Sequence, residues 1–125
     1  MNNKIYIKKS QTTKKINSTS CNLNEYCFPT KNISFATARI NGRYPLIGKA
    51  INNKCDQIYF IINGQGTIHH ETGNYKIKTQ DAFYFPRKKW YWVEGQSLEI
   101  AVFNSPAWTP KQYKIEYDVI LEPEA

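Results

Sequence analysis

The stretch QDAFYFPRKKWYWVEG, residues 80–95, places three consecutive cations, Arg87, Lys88 and Lys89, between two aromatic segments. Aromatic side chains favour strands, and Pro86 fixes a backbone angle just before the cations. The stretch therefore predicts two β-strands, DAFYFP and KWYWVEG, joined by a basic turn.

Short segments of the same kind extend on both sides of this pair, from residue 33 onward. They read ISFATARI, QIYFIIN, GTIHHE, NYKIK, LEIAVFN and QYKIEYDVIL, and most are rich in β-branched and aromatic residues. Hairpin signals stand at Asn41-Gly42, Asn63–Gly66 and Thr72–Asn74. No segment of helical length repeats its apolar residues with the period of a helix. This pattern of short strands predicts an all-β sandwich or barrel.

The chain divides by composition into two parts. Residues 1–32 are polar and lack a sustained period, which predicts an N-terminal arm or irregular lead-in where KIYIK (4–8) suits a short strand. Residues 33–125 hold the predicted strands, and a total of 125 residues favours one globular domain.

The composition also narrows the functions that the chain can serve. The formal charge is +7, but no helix-turn-helix, zinc-finger or RNA-binding signature accompanies it, so a nucleic-acid partner is not expected. No apolar run approaches the roughly 20 residues that cross a bilayer. The basic N-terminus lacks the apolar core of a secretory signal. We therefore expect a cytoplasmic protein with no membrane partner.

A hairpin over Asn63–Gly66 would pair Ile62 with Thr67 and place Tyr59 opposite His70. Because side chains alternate along a strand, six residues then share one face, and His69 and Glu71 lie on the other. The six are Gln57, Tyr59, Ile61, Ile68, His70 and Thr72. A histidine in a barrel is a candidate general acid or base. The alternative is a hydrogen-bonded core histidine.

Two stretches of the chain resemble the motifs of small single-domain cupins. The first cupin motif ends in a Glu, six residues and a Gly, and Gln57 and Gly64 stand at these two positions. The second runs Gly, five residues, Pro, one residue, Gly, two residues, His, three residues and Asn. At that spacing this chain has Gln80, Pro86, Lys88, Tyr91 and Gly95, so that only the Pro is kept. The resemblance spans roughly residues 33–105 and implies a cupin-type antiparallel β-barrel or jelly roll.

Cupins usually bind a metal through two His and a Glu of the first motif and the His of the second. Here the first two positions hold Ala50 and Asn52, or Ile51 and Asn53, and the other two hold Gln57 and Tyr91. Amides and a neutral phenol are poor ligands for a dication. The resemblance therefore implies the barrel without its metal, and we expect neither a metal nor another cofactor.

Some cupins without metal, such as sugar-nucleotide epimerases and ketoisomerases, transfer protons with His and Tyr in the barrel. This resemblance implies His70 as the base and Tyr59 or Tyr91 as the proton donor. The reaction would be an epimerase, isomerase or lyase reaction on a sugar derivative. The alternative is a non-catalytic barrel that holds a sugar or another small polar molecule, with Gln57 among its binding residues.

The cations at the predicted turn suit an anionic ligand if that turn lies at the barrel mouth. Arg87, Lys88 and Lys89 would then attract the ligand. Arg39 would grip its carboxylate or phosphate if the face of its strand points inward. The alternative is a solvated basic loop and a surface arginine.

Tyr91 should face the barrel interior if it occupies the position of the last cupin ligand. Alternation then places Trp90 and Trp92 on the outer face. Two tryptophans are costly to leave in water, so they favour a second covering layer or a dimer contact. We expect a homodimer.

Overall fold

The computed structural model describes residues 5–117, and nine β-strands account for most of them. The strands are Thr13–Ser18 (β1), Cys21–Tyr26 (β2), Ser34–Tyr44 (β3), Lys49–Asn52 (β4), Asp56–His70 (β5), Gly73–Lys78 (β6), Ala82–Phe85 (β7), Trp90–Ser105 (β8) and Tyr113–Glu116 (β9). Single turns of 3₁₀ helix, Lys9–Gln11 and Pro110–Gln112, precede β1 and β9. No helix in this part of the chain is long and apolar enough to cross a membrane.

The nine strands form one antiparallel sheet with β8 at its centre. Along one edge β8 pairs with β3 and β4, and along the other it pairs with β5. β2 pairs with β3, and β1 with β2. β9 pairs with β4, and β6 and β7 each pair with a different part of β5. The sheet curls so that the inner faces of β3, β5 and β8 share one buried core. The predicted all-β barrel is confirmed.

Two of the predicted hairpin turns are instead irregularities inside long strands. β5 continues without a break through residues 63–66, and β3 continues through residues 41 and 42. The register shifts beside Gly64 (φ 88°) and Gly42 (φ 108°), as it does at β-bulges. Glycine at these positions bends a strand rather than reversing it. The third turn is confirmed, because β5 and β6 form a hairpin that pairs His70 with Gly73.

The inner face predicted for β5 survives this correction. The buried residues of the strand are Gln57, Tyr59, Ile61, Ile68 and His70, which are five of the six predicted. The sixth, Thr72, is exposed in the turn. Near Gly64, the irregular pairing of β5 with β8 shifts the alternation of inward and outward side chains by one residue. The hairpin assumed from the sequence would give the same shift, so the predicted inner face is correct although no hairpin forms there.

The N-terminal segment is more regular than the arm or lead-in expected for residues 1–32. β1 and β2 form a hairpin, and β2 pairs along its whole length with β3. The hairpin contributes Lys15, Asn17 and Glu25 to the wall of a cavity. Polar residues on both faces leave no apolar alternation from which these strands could be predicted. Residues 5–8 form no strand, and Lys4 lies outside the described residues.

Two residues that stand at glycine positions of the second cupin motif have positive φ angles. Gln80 (φ 74°) and Lys88 (φ 72°) adopt the left-handed conformation that non-glycine residues rarely adopt. At the last motif position, Gly95 packs so closely on the backbone of Ile40 that a Cβ would collide with it.

Trp90 and Trp92 lie half-buried on the outer side of β8, and Tyr91 faces inward, as predicted. The chain itself covers Trp92. The ring of His69 stacks on it with centroids 3.7 Å apart, and the guanidinium of Arg43 lies 3.9 Å from its centroid. The homodimer stays a prediction. Exposed apolar side chains lie on another part of the outer face, at Ile58, Phe60, Ile62, Tyr84 and Phe103.

Candidate functional site

A cavity of about 250 Å³ lies within the barrel. Its walls come from β1, β2, β3, β5 and β8 and from the loop between β2 and β3. Ala107, Trp108 and Tyr113, the first residue of β9, complete them. Leu23, Ala38, Ile40, Ile100 and Val102 form an apolar part of the lining. The other walls are polar and aromatic, and they carry the candidate site.

Four polar side chains of two adjacent strands form what we call the polar wall: Gln57 and Tyr59 of β5, and Tyr91 and Asn104 of β8. Each is at most 6% exposed. Gln57 Nε2 donates a hydrogen bond to the Tyr91 hydroxyl at 3.3 Å. Asn104 Oδ1 is buried and has no hydrogen-bond partner among the described residues. An unpaired buried acceptor costs about 1–3 kcal/mol, so the polar wall has unused hydrogen-bonding capacity.

Further amides support the polar wall from β4 and the turn before β9. Asn52 Nδ2 donates to Gln57 Oε1 at 3.5 Å. Asn52 Oδ1 accepts from Trp108 Nε1 at 3.1 Å and from Gln112 Nε2 at 2.9 Å. Gln112 Oε1 accepts the backbone N–H of Lys54 at 3.0 Å. Asn52 and Gln112 are each 4% exposed, so these bonds are shielded from water.

Four tyrosines line the cavity, and burial keeps all four neutral. Desolvation raises the pKa of Tyr44, Tyr59, Tyr91 and Tyr113 above the usual phenol value of about 10. The hydroxyls of Tyr44 and Tyr113 also bond each other at 2.5 Å. At neutral pH these side chains are therefore hydrogen-bond donors and acceptors, not phenolate bases.

One ion pair lies in the cavity wall, on the β1–β2 hairpin. Lys15 Nζ is 3.6 Å from Glu25 Oε2, and the two side chains are 45% and 28% exposed. The same Nζ is 5.7 Å from the ring centroid of Trp108, which packs on Tyr113 with centroids 5.5 Å apart. The cavity thus combines a neutral polar wall with a charged pair and an aromatic surface.

The positions of the cupin metal ligands come together in space. Ala50 and Asn52 are the buried residues of β4, which selects one of the two alignments left open by the sequence. Asn52, Gln57 and Tyr91 are joined by the hydrogen bonds above, and these neutral groups do not fit a divalent ion. Within residues 5–117, no three His, Cys, Asp or Glu side chains are grouped so that they could hold a metal.

His70 is buried in the barrel but does not line the cavity. It packs against Phe83 and Phe85, with centroids 5.6 and 6.3 Å away. Its Nδ1 accepts the backbone N–H of Thr72 at 3.2 Å, so the neutral ring carries its proton on Nε2. That nitrogen has no partner in the described part of the chain, and burial lowers the pKa of the ring. The structure brings Tyr59 and Tyr91 together at the cavity, and the role of His70 as a base stays a prediction.

Two of the three cations in the turn between β7 and β8 form ion pairs outside the cavity. Arg87 Nε is 3.1 Å from Asp56 Oδ1 and, by hydrogen bonding, holds the pKa of that carboxyl below its usual value. Lys89 Nζ is 3.5 Å from Glu71 Oε2. Lys88 donates its backbone N–H to the carbonyl oxygen of residue 52 at 2.7 Å. None of the three cations lines the cavity, and their ligand-binding role stays a prediction.

Arg39 also lies away from the cavity. It faces outward from β3, where its guanidinium is 3.5 Å from Glu99 Oε2. Its role as a ligand-binding residue likewise stays a prediction. Within residues 5–117, the cation that lines the cavity is Lys15.

Several polar and aromatic residues of this cavity were not predicted from the sequence, among them Lys15, Glu25, Tyr44, Asn104 and Trp108. The first two were missed because their strands were not predicted. Asn104 carried a usable signal, since it ends the predicted strand LEIAVFN in phase with the inward residues of that strand. Trp108 lies in an irregular segment, and no local pattern indicated its position.

Comparison with known proteins identifies the fold at low sequence identity. The sequence matches no protein-family model and no curated protein. The structure is similar to that of Pac13 from Streptomyces, solved with uridine, with a TM-score of 0.82 and 14% identity over 91% of each chain. Pac13 is described as a nucleoside dehydratase.

Two further similar structures are those of KdgF and oxalate decarboxylase. KdgF from Halomonas sp. has a TM-score of 0.68 and 12% identity over 81% of this chain and 94% of that one. Oxalate decarboxylase from Bacillus subtilis has a TM-score of 0.71 and 15% identity over 86% of this chain and 30% of that one. Pac13, KdgF and oxalate decarboxylase are cupin-fold proteins, and the expected cupin-type barrel is confirmed. At these identities the likeness concerns the fold alone.

Proposed function

We propose that this protein binds a small polar molecule of sugar or nucleoside type in the cavity and transfers a proton on it without a metal. One observation carries the proposal. The cavity has a buried polar wall of neutral groups, Gln57, Tyr59, Tyr91 and Asn104, beside an apolar lining. A few fixed polar groups in an otherwise apolar pocket orient a small ligand.

A nucleoside suits both parts of the lining. Its hydroxyls can bond to the amides and phenols of the polar wall. Its flat base can pack on Trp108, whose indole N–H is already bonded to Asn52. The similarity in fold to Pac13, a structure solved with uridine, supports this ligand class.

An anionic group on the ligand would be bound by Lys15. Its ammonium lies in the cavity wall, and its partner Glu25 can be replaced by a carboxylate or phosphate of the ligand. Arg39, Arg87 and Lys89 each pair with a carboxylate outside the cavity. Together with Lys88, which does not line the cavity either, they would act on the ligand through the long-range potential.

Proton transfer requires a base and an acid that both face the ligand. Glu25 is the carboxylate in the cavity wall, and the neutral hydroxyl of Tyr91 or Tyr59 is the proton donor. Such a pair suits an epimerase, isomerase or lyase reaction. The second candidate is a binding module without catalysis, which is favoured by the position of His70 outside the cavity lining.

The binding proposal is tested by calorimetry and thermal shift with uridine, glucuronate and a uridine diphosphate sugar. Lys15→Met should weaken the two anionic probes more than uridine, because it removes the cation of the cavity. Lys14→Met is the matched control, since Lys14 is exposed on the same strand and does not line the cavity. If no probe binds, or if both variants weaken binding equally, the proposed site is wrong.

The catalytic part is tested separately, with turnover measured by mass spectrometry on whichever probe binds. Glu25→Gln and Tyr91→Phe should abolish proton exchange between the bound probe and deuterated water while the protein stays folded. A protein that binds the probe but exchanges no proton is the binding module. We also propose a cytoplasmic location and a homodimer formed through the outer face that carries Ile58 and Phe60.

A further inference from the structure

We propose that the basic turn between β7 and β8, residues 87–89, positions two amides of the site, with Arg87 as the positioning residue. The amides are Gln57 of the polar wall and Asn52, which bonds to it. This inference rests on the proposed function, because it specifies how binding residues of the cavity are held in place. The turn lies outside the cavity lining, so it acts through its contacts with the strands that carry these amides.

The turn lies between the ends of two strand ladders. The ladder between β5 and β7 has Gln57 and Phe85 as its last pair. The ladder between β4 and β8 has Ile51 and Trp90 as its last pair. Residues 86–89 connect β7 to β8, so they pass from the first ladder to the second. A turn in this place can contact both the start of β5 and the end of β4, which carry the two amides.

Arg87 holds Asp56, the first residue of β5, by three hydrogen bonds. Its backbone N–H and its Nε each donate to Asp56 Oδ1 at 3.1 Å, and its Nη2 donates to Asp56 Oδ2 at 3.3 Å. A guanidinium presents its N–H groups in one rigid plane, and the ammonium of a lysine cannot make the same contact with two oxygens. Neighbouring side chains of a strand point to opposite faces. Arg87 therefore fixes the strand from outside, directly before Gln57, which faces inward.

The same turn holds Asn52, the last residue of β4, through the backbone. The N–H of Lys88 donates to the carbonyl oxygen of Asn52 at 2.7 Å. On the other side, the backbone N–H of Asn53 donates to the carbonyl oxygen of Gln112 at 2.9 Å. The connection between β4 and β5 is therefore held from two sides, and the basic turn supplies one of them.

The bond between the two amides makes the site sensitive to this support. Asn52 Nδ2 and Gln57 Oε1 are 3.5 Å apart, at the long limit of a hydrogen bond. A further separation of the two strand ends would break the bond and leave Gln57 without this partner. The side chains of Arg87 and Asp56 are 45% and 39% exposed, and exposed ion pairs add little to global stability. Loss of this pair should therefore loosen the amides without unfolding the barrel.

The test separates shape from charge by calorimetry with uridine, a neutral probe. Arg87→Lys keeps the cation and loses the planar contact, and Asp56→Asn presents an N–H₂ group to Arg87 Nη2. Both should weaken uridine binding about three- to tenfold, which corresponds to one neutral hydrogen bond. Glu71→Gln is the matched control, because it removes the carboxylate paired with Lys89 of the same turn and keeps the acceptor for the backbone N–H of Trp90. It should leave uridine affinity unchanged. If Arg87→Lys binds uridine as the unchanged protein does, or if Asp56→Asn and Glu71→Gln have the same effect, the proposal is wrong.

A measurement without ligand separates this inference from the proposed function. The side-chain N–H₂ groups of Asn52 and Gln57 can be followed by nitrogen–proton NMR. In Arg87→Lys and Asp56→Asn their resonances should shift, whereas those of Gln65, which is exposed on β5, should not. The urea midpoint should change little. If uridine fails to bind but the two amides respond, the nucleoside proposal fails and the positioning role stands. If the two amides do not respond, or if resonances throughout the barrel shift with a large loss of stability, the positioning role is wrong.

Discussion

Gln57→Glu places a carboxyl group where metal-binding cupins have their glutamate, and the structure determines its cost. Gln57 is 5% exposed, and its two side-chain partners are neutral groups, Asn52 and Tyr91. Within residues 5–117, the cation in the cavity wall is Lys15, which pairs with Glu25. Without a cation beside it, the ionised form is disfavoured by desolvation, and the pKa of the new carboxyl rises in the folded state.

The magnitude follows from linkage between proton binding and folding. In the unfolded chain a glutamate loses its proton near pH 4.3, whereas in the folded variant it keeps the proton to a higher pH. Above about pH 4.3 the unfolded state therefore binds fewer protons, and the free energy of unfolding falls by about 1.4 kcal/mol per pH unit. A shift of about two to three units predicts a loss of roughly 3–4 kcal/mol at pH 8 relative to pH 4.

The assay is urea unfolding followed by tryptophan fluorescence from pH 4 to pH 8. Gln65→Glu is the matched control, because it makes the same change at an exposed position of β5. We expect Gln57→Glu to lose stability relative to the unchanged protein as the pH rises, and Gln65→Glu to follow the unchanged protein. If the two variants respond alike, the account of a dry, neutral polar wall is refuted.

Other predictions concern the core, the turns and the outer face. His70 has a lowered pKa in the folded protein because it is buried, so the folded state binds fewer protons than the unfolded state below about pH 6.5, and stability falls as the pH drops. His70→Gln should reduce this pH dependence of the free energy of unfolding, measured by urea titration at pH 5 to 7. An unchanged pH dependence would show that another group is responsible. Lys88→Gly should raise the free energy of unfolding by about 1 kcal/mol, because glycine relieves the left-handed backbone at φ 72°. Lys89→Gly, the neighbouring control, should lower it, and a loss in both would contradict the strain argument. Ile58→Lys, at an apolar side chain that is 43% exposed, should dissociate the proposed homodimer in light scattering, whereas Lys76→Glu on β6 should not. A monomeric unchanged protein would end that proposal.

The sequence predicted the barrel well because its central strands alternate strongly. Tyr91 and Tyr59 could be placed inward from that alternation and from the cupin spacing, and Gln57 from the same spacing. The hairpin predicted over Asn63–Gly66 was wrong, because glycine and asparagine occur at β-bulges as well as in tight turns. The predicted inner face was nevertheless correct, since the irregular pairing changes the phase as a hairpin would.

The cavity walls were harder to predict for a physical reason. Strands that face a polar cavity carry lysine, asparagine and glutamate inward, so β1 and β2 look like an irregular arm. Within residues 5–117, the cation in the cavity wall is Lys15. The basic stretch Arg87–Lys89, which is more conspicuous in the sequence, lies outside the lining. Two of its three charges pair with Asp56 and Glu71, which are distant in sequence and could not be located without the fold.

Binding of a small polar ligand in the cavity can be followed residue by residue by amide NMR during titration with uridine. The account predicts saturable shifts confined to the amides that line the cavity, including those of Lys15, Tyr59, Tyr91 and Asn104. Ala38→Phe, which fills the cavity from β3, should abolish these shifts, and Thr37→Phe on the outer face of the same strand should preserve them. Shifts centred on Arg87–Lys89 or on the outer face, or shifts that survive Ala38→Phe, would contradict the account.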